Sequence, residues 1–336
     1  MAKYEFTSKG PGLIWFPFWL FVSARPRQWL KNLALFAPLV FAGEFFNPVK
    51  FSVVFFGFLI FCLVTSSIYI VNDVIDMEKD RAHPYKNKRP IAGGKLAPGP
   101  ALVCAVLMIG FAILIANQLS TFFTLAVAAY AILQVVYSLF LRSVILIDVM
   151  AIASGFLLRV YAGGVLINAH VTVWFMLTVA SVALFLAIGK RRSERTLLSA
   201  IADNSMQTRK ILHHYPESLL DSLTVMFATA SWLSYTMFTF LQPPPSANTT
   251  VMFLFGSYLP RTFLSSKWLM ASVPFVIYGV MRYLYVIYEK KEGESPERVL
   301  LSDAPLLIAV MVWVFVVFAV IYGSALIPER IMHFFQ

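Results

Sequence analysis

Asp73, Asp76 and Asp80 stand at i, i+3 and i+7 in the segment from Tyr69 to Pro90, directly after a long apolar stretch. If the helix of that stretch persists to about residue 81, the three carboxylates share one face, with Asn72 one turn before Asp76. Three like charges at a membrane boundary repel one another unless a cation lies among them. Hard oxygen ligands without clustered Cys or His suit Mg2+ held jointly with substrate phosphates. The competing reading is a helix end whose acids merely reach water, which has no need of so regular a spacing. Just downstream, Lys86 and Arg89, with Lys88 between them, suit phosphate oxygens, although membrane topology alone also places cations there.

Three more segments carry chemistry. In Gly189 to Arg195, four of six consecutive residues are basic, and Lys190 shares a helix face with Glu194. In Arg25 to Asn32, Lys31 and Asn32 fall within the first turn of an apolar span, where a charge is expensive unless it faces a polar cavity. Tyr137 and Arg142 close another span, and Asp148 lies inside the next; Asp148 is either a functional acid or the structural partner of Arg142 or Arg159. Arg159, ahead of Gly163 and Gly164, is either a buried partner or a lipid-phosphate contact. His213 and His214 have no third ligand at metal spacing and are expected at the surface. The 31 Phe residues occur in every span and are expected to pack or to face lipid.

These residues need elements to hold them, and composition says which. Hydrophobic residues make up 59% of the 336 and charged ones 13%, against about 45–50% and 25% in soluble domains. That excludes a water-soluble globular enzyme and, equally, disorder. Nine apolar stretches are long enough to cross a bilayer: 28–43, 52–71, 100–117, 121–141, 144–167, 171–189, 219–241, 268–288 and 304–327. The expected fold is all-α, a polytopic nine-helix bundle over 28–327 within a single transmembrane domain, 1–336. Residues 1–24 form an N-terminal segment whose aromatic part, 13–24, reads as an interfacial helix; one kinked span over 13–43 is the alternative.

With the amino terminus inside, twenty-two of the 27 Lys and Arg fall on the inner side and four outside, with Arg159 within a span. This puts the loops 72–98 and 190–218 on the cytoplasmic face of a plasma-membrane protein, the loop 242–267 outside, and the carboxyl terminus outside. The net charge of +10 gathers in a few loops, which fits topology and an anionic substrate and not a nucleic-acid face. Cys62 and Cys104 lie in apolar runs and are not expected to pair. No cleavable signal peptide is expected at the amino terminus. The sequence leaves a homo-oligomer open.

Together the motifs resemble the UbiA superfamily of intramembrane prenyltransferases, whose N-D-x-x-D-x-x-x-D motif is matched by Asn72, Asp73, Asp76 and Asp80, with Arg89-Pro90 at the expected distance. The resemblance runs over nearly the whole chain and implies nine helices around a cytoplasmic-side active-site cavity. One departure matters: the second Asp-rich motif of quinone and haem prenyltransferases is replaced by the basic run Gly189 to Arg195. The pattern is similar instead to the decaprenyl-phosphate phosphoribosyltransferase branch, through Arg25 to Asn32, Tyr69 to Pro90 and Gly189 to Arg191.

That branch implies a Mg2+-dependent pentosyl transfer from phosphoribosyl pyrophosphate to a long-chain polyprenyl phosphate. The products would be pyrophosphate and a lipid-linked sugar precursor of cell-envelope (cell wall) synthesis. Asp73, Asp76 and Asp80, with Asn72, would hold the metal. Lys31, Lys86, Arg89, Tyr137, Arg142, Asp148, Lys190 and Arg191 would line the substrates. The rival readings are a prenyltransferase joining an allylic diphosphate to an aromatic acceptor, and a secondary transporter coupled through Asp148 and Arg159.

Overall fold

A computed structural model describes residues 15–82, 86–200, 215–242, 267–290 and 296–323. The described residues are helical or turn, with no strand among them. In chain order come α1 (Phe16–Ser23), a 3-10 stretch (Pro26–Phe36), α2 (Ala37–Phe41), α3 (Pro48–Ile75), α4 (Met77–Arg81) and a 3-10 turn (Lys86–Lys88). Then follow α5 (Pro98–Leu119), α6 (Thr121–Leu139), a 3-10 turn (Leu141–Ser143), α7 (Ile147–Leu166), α8 (Val173–Ala200) and α9 (Glu217–Leu241). A 3-10 turn (Trp268–Ser272), α10 (Val273–Tyr285), a π-helical turn (Val286–Lys290), α11 (Pro296–Ser302) and α12 (Ala304–Tyr322) complete the chain.

Seven described helices are long and apolar enough to cross a membrane: α3, α5, α6, α7, α8 to Thr196, Trp268–Glu289 and α12. The protein is an integral, multi-pass membrane chain. Two of the nine expected stretches differ, for separate reasons. Residues 26–36 are wound as 3-10 helix, followed by the five residues of α2, so 28–43 is not one continuous α-helix. Helix α9 has 25 residues, about 37 Å at 1.5 Å each, but eight of them are Ser or Thr, which lowers its hydropathy. Those hydroxyls are largely satisfied within the helix: Thr224, Ser231, Ser234 and Thr236 each donate to the carbonyl four residues back, a pattern compatible with apolar surroundings. The supposed loop from 190 is also shorter than expected, because α8 continues to Ala200. Residues 201–214, most of 242–267, and 324–336 lie outside the described residues.

The chain divides into two compact units. The first contains residues to Ala37, Val49–Arg142 and Leu158–Asn168; the second contains Pro38–Pro48, Ser143–Leu157 and the chain from Ala169 onward. In the first, Ile70, Ile91, Leu96, Ala101 and Ala105 form a buried cluster under Phe16, Trp19 and Leu20 of α1. The aromatic amino-terminal helix is thus seated on the turn that carries Arg89. Gly163 of α7 lies so close to the backbone of Leu35 that any Cβ there would collide with it. In the second unit, Phe185, Ala228, Tyr283, Ile287 and Leu306 pack α8, α9, α10 and α12 together. Asp303 caps α12 through the Leu306 N–H and accepts two bonds from Arg282, at 2.9 and 3.0 Å.

Candidate active site

Helix α3 does not run unbroken to residue 81. Asp76 leaves the helical conformation at φ −89°, ψ 6°, separating α3 from the short α4, although the Asp76 N–H still bonds to Asn72 O and the Asp80 N–H to Asp76 O. This one-residue break reorients the acids. Asp73 and Asp80 are both buried and both touch one nitrogen of Arg89, Nη1, at 3.3 and 2.5 Å. Arg25 pairs with Asp73 as well. Asp76 instead accepts two bonds from Arg142, at 2.7 and 2.9 Å, in a bidentate fork. Arg142 holds the Asp76 carboxyl below the usual carboxylate range, against a smaller opposing effect of burial. The stability this pair contributes is present above the ordinary carboxylate pKa and is lost only as pH falls through the depressed value.

Among the described residues no three acids, His or Cys stand together as a ready metal cage; arginines hold the three carboxylates here. The donor chemistry still fits Mg2+ held with phosphates. All the ligands are hard oxygens, and two of the carboxylates already share one positive nitrogen. The turn after Arg89 is tight. Gly93 N–H donates to Arg89 O at 2.7 Å, and Gly94, at φ +72°, takes the left-handed conformation that favours glycine.

The Arg25 to Asn32 segment docks along the last turns of α3 as a ladder. Arg25 meets Asp73 and lies over the Tyr69 ring, Trp29 Nε1 donates to Ser66 Oγ at 3.0 Å, and Asn32 donates to Thr65 and Cys62, each at 3.4 Å. Arg159 holds the far end, donating to Asn32 Oδ1 at 2.8 Å and to Tyr130 Oη at 2.5 Å. Gly163, one turn on, provides the close approach that permits this. Lys31 is half-buried beside Asn32.

A second network lies at the end of α8. Asp148, at the start of α7, accepts Arg191 Nε at 2.7 Å and Tyr215 Oη at 2.6 Å. Arg191 also donates to Glu194 at 2.7 Å. Burial and the bond to Asp148 raise the Tyr215 phenol above its ordinary range, so it stays the donor at neutral pH. Lys190, more exposed, comes within 3.9 Å of Glu194. Arg192 pairs with Asp221 and lies over the Tyr288 ring at 3.5 Å.

Of the expected site residues, Asp73, Asp76, Asp80, Arg89 and Arg142 are thus gathered in the first unit. Asn72 and Tyr137 are half-buried nearby in the sequence, and Lys86 is exposed in its 3-10 turn. Asp148 and Arg191 are paired with each other in the second unit, not with Arg142 or Arg159. Arg25 and Tyr215 were not anticipated. The motif around Arg25 was visible, but nothing in the spacing says that residue 25 reaches residue 73. His213 and His214 lie outside the described residues.

The described residues thus form a helical membrane chain with an acid–arginine cluster at the end of α3. Residues 33–193 match the UbiA prenyltransferase family, and the chain belongs to it. The chain is 34% identical over 309 residues to the decaprenyl-phosphate phosphoribosyltransferase of Mycolicibacterium smegmatis, covering 91% of this chain and 93% of that protein. It is also 34% identical to the decaprenyl-phosphate phosphoribosyltransferase of Corynebacterium glutamicum, over 89% of this chain and 85% of that one. A UbiA homolog from Archaeoglobus fulgidus, solved with GPP and Mg2+, shares the fold with a TM-score of 0.61 at 19% identity, over 90% of this chain and 99% of that one.

Proposed function

We propose that this protein transfers the 5-phosphoribosyl group of phosphoribosyl pyrophosphate to a polyprenyl phosphate, releasing pyrophosphate. The likeness to phosphoribosyltransferases over about nine-tenths of the chain supports the reading. The observation that favours it over allylic prenyl transfer is the charge of the α8 end. The run from Lys190 to Arg195 is basic, and among the described residues there Arg191 binds Asp148 and Glu194 while Arg192 binds Asp221, which favours direct cations over a second metal-binding acid set.

In the reaction, the bond between ribose C1 and the pyrophosphate oxygen breaks as an oxygen of the lipid phosphate bonds to C1. Positive charge develops on the ring and negative charge on the leaving group, as in glycosidic cleavage. Asp73, Asp76 and Asp80, with Asn72, are proposed to hold Mg2+, which when bound supplies Lewis-acid neutralisation of the pyrophosphate charge. The lipid phosphate is already an anion, so no residue is required as its base. Lys86 and Arg89 are assigned to the 5-phosphate, with Arg25 as a further cation beside Asp73. Lys31, Arg142 and Lys190 are assigned to the remaining phosphate oxygens, and Tyr137 to the same substrates. Asp148 and Arg191 act from within the packing, holding the chain around them.

Lys190→Ala is expected to lower kcat/KM about tenfold or more through loss of a charge-assisted phosphate contact, with the Mg2+ requirement unchanged. A shifted Mg2+ requirement would assign Lys190 to the metal's surroundings instead. For topology we propose nine crossings, counting α9 and residues 26–41, with 72–98 and the α8 end on the cytoplasmic face, the amino terminus inside and the carboxyl terminus outside. Cysteines placed at Lys79 and in the 242–267 segment are expected to label from opposite sides; labelling from one side would overturn this arrangement. The reaction itself is tested by pyrophosphate release in detergent that requires both substrates. Release independent of the lipid, or no release, would contradict it.

A further inference from the structure

Leu146 takes a left-handed backbone conformation, φ +63°, which a non-glycine residue adopts only when its surroundings hold it there. Its carbonyl accepts the Met150 N–H at 3.1 Å as α7 opens, and its own N–H is held by one phenol oxygen. The Leu146 N–H donates to Tyr215 Oη at 2.7 Å, and the same hydroxyl donates to Asp148 Oδ1 at 2.6 Å. Asp148 is anchored in turn by Arg191. Tyr215, Asp148 and Arg191 are almost completely buried, whereas Leu146 is 40% exposed. Four residues before Leu146, in the 3-10 turn Leu141–Ser143, stands Arg142, whose guanidinium grips Asp76 with two bonds.

We propose that Tyr215 is a positioning residue for Arg142: by clamping the strained backbone at Leu146 to Asp148, it fixes the linker that presents Arg142 to Asp76. The proposal rests on the reading above, in which Asp76 serves the donor's pyrophosphate through the metal, and it makes Arg142's grip on Asp76 the part of Arg142's role that the clamp controls. The clamp has a definite chemistry. The hydroxyl accepts from a backbone amide and donates to a carboxylate, so phenylalanine removes both bonds at once while keeping the ring in its packing. It then leaves a backbone N–H without its acceptor, and nothing compensates for the strain.

The test is a coupling experiment on the full-length protein. Tyr215→Phe is expected to lower kcat/KM for the donor about tenfold, with the KM for polyprenyl phosphate unchanged. Adding Leu146→Gly, which relieves the strain that the clamp opposes, is expected to restore activity to within about threefold of wild type. In an Arg142→Gln background, Tyr215→Phe is expected to change nothing further. Should Tyr215→Phe fail to fold, Leu146→Val strains the same backbone with Tyr215 intact, and it is expected to show the same dependence on Arg142. Calorimetric binding of magnesium pyrophosphate by the same variants reads the coupling without turnover. A wild type that binds with this coupling but transfers nothing would sink the phosphoribosyl reading and keep the clamp. Losses that add independently in the Arg142→Gln background, or no recovery with Leu146→Gly, would overturn the clamp and make Tyr215 a packing residue only.

Discussion

Asp76→Asn is expected to lower phosphoribosyl transfer by two to three orders of magnitude while the protein stays folded. The size follows from what the substitution removes: a charge placed where the leaving pyrophosphate is neutralised, a class of interaction worth about 10²–10³ in rate. The fold survives because Asp76 sits at a break between two helices with its side chain 19% exposed, and the amide keeps the size and one acceptor for Arg142. Asp76→Asn is a better probe than Asp73→Asn, since the buried Asp73 balances both Arg25 and Arg89 and its loss brings a stability cost of its own. Initial rates against Mg2+ concentration, alongside a melting curve, check the prediction. Normal turnover at ordinary Mg2+ would reduce the carboxylates to a solvated helix end.

Arg191→Ala is expected to act on stability first. Its side chain is 1% exposed and that of Asp148 0%, so truncation strands a buried carboxylate, at a cost of about 3–5 kcal/mol. A melting temperature lower by about 10 °C follows. The double variant Asp148→Leu with Arg191→Met, which removes both charges at similar volume, is expected to recover most of that stability. It is not expected to recover full activity, because Tyr215 has then lost its acceptor. If Arg191→Ala instead melted like wild type and lost only transfer, Arg191 would be a direct phosphate ligand, as the basic run alone suggests.

The contrast between those two residues shows what the sequence makes legible. Asp73, Asp76 and Asp80 announce themselves because local spacing and charge repulsion act over a few residues, and a cation demand follows from them. The same reasoning extends the helix through Asp76, where the structure breaks it, because spacing reports periodicity and not the pull of a distant arginine. Arg191 sits in a conspicuous basic run, yet its partner is 43 residues away. Arg142 meets an acid 66 residues away, and Arg25 one 48 away. No local pattern carries such pairings. The spans show the same division. The strongly apolar helices are visible from composition, and so is α9, expected over 219–241 and found over Glu217–Leu241 in spite of its hydroxyls. The 3-10 stretch at 26–36 owes its course to contacts with α3 and α7 that hydropathy does not contain.

The most direct test of the central claim supplies purified protein with phosphoribosyl pyrophosphate labelled in the ribose, a polyprenyl phosphate and Mg2+, and follows the label into the organic phase. Label is expected in the lipid fraction in step with pyrophosphate released, dependent on the lipid phosphate and abolished by chelation of Mg2+. No label in the lipid, together with good transfer from an allylic diphosphate to an aromatic acid by the same preparation, would contradict it.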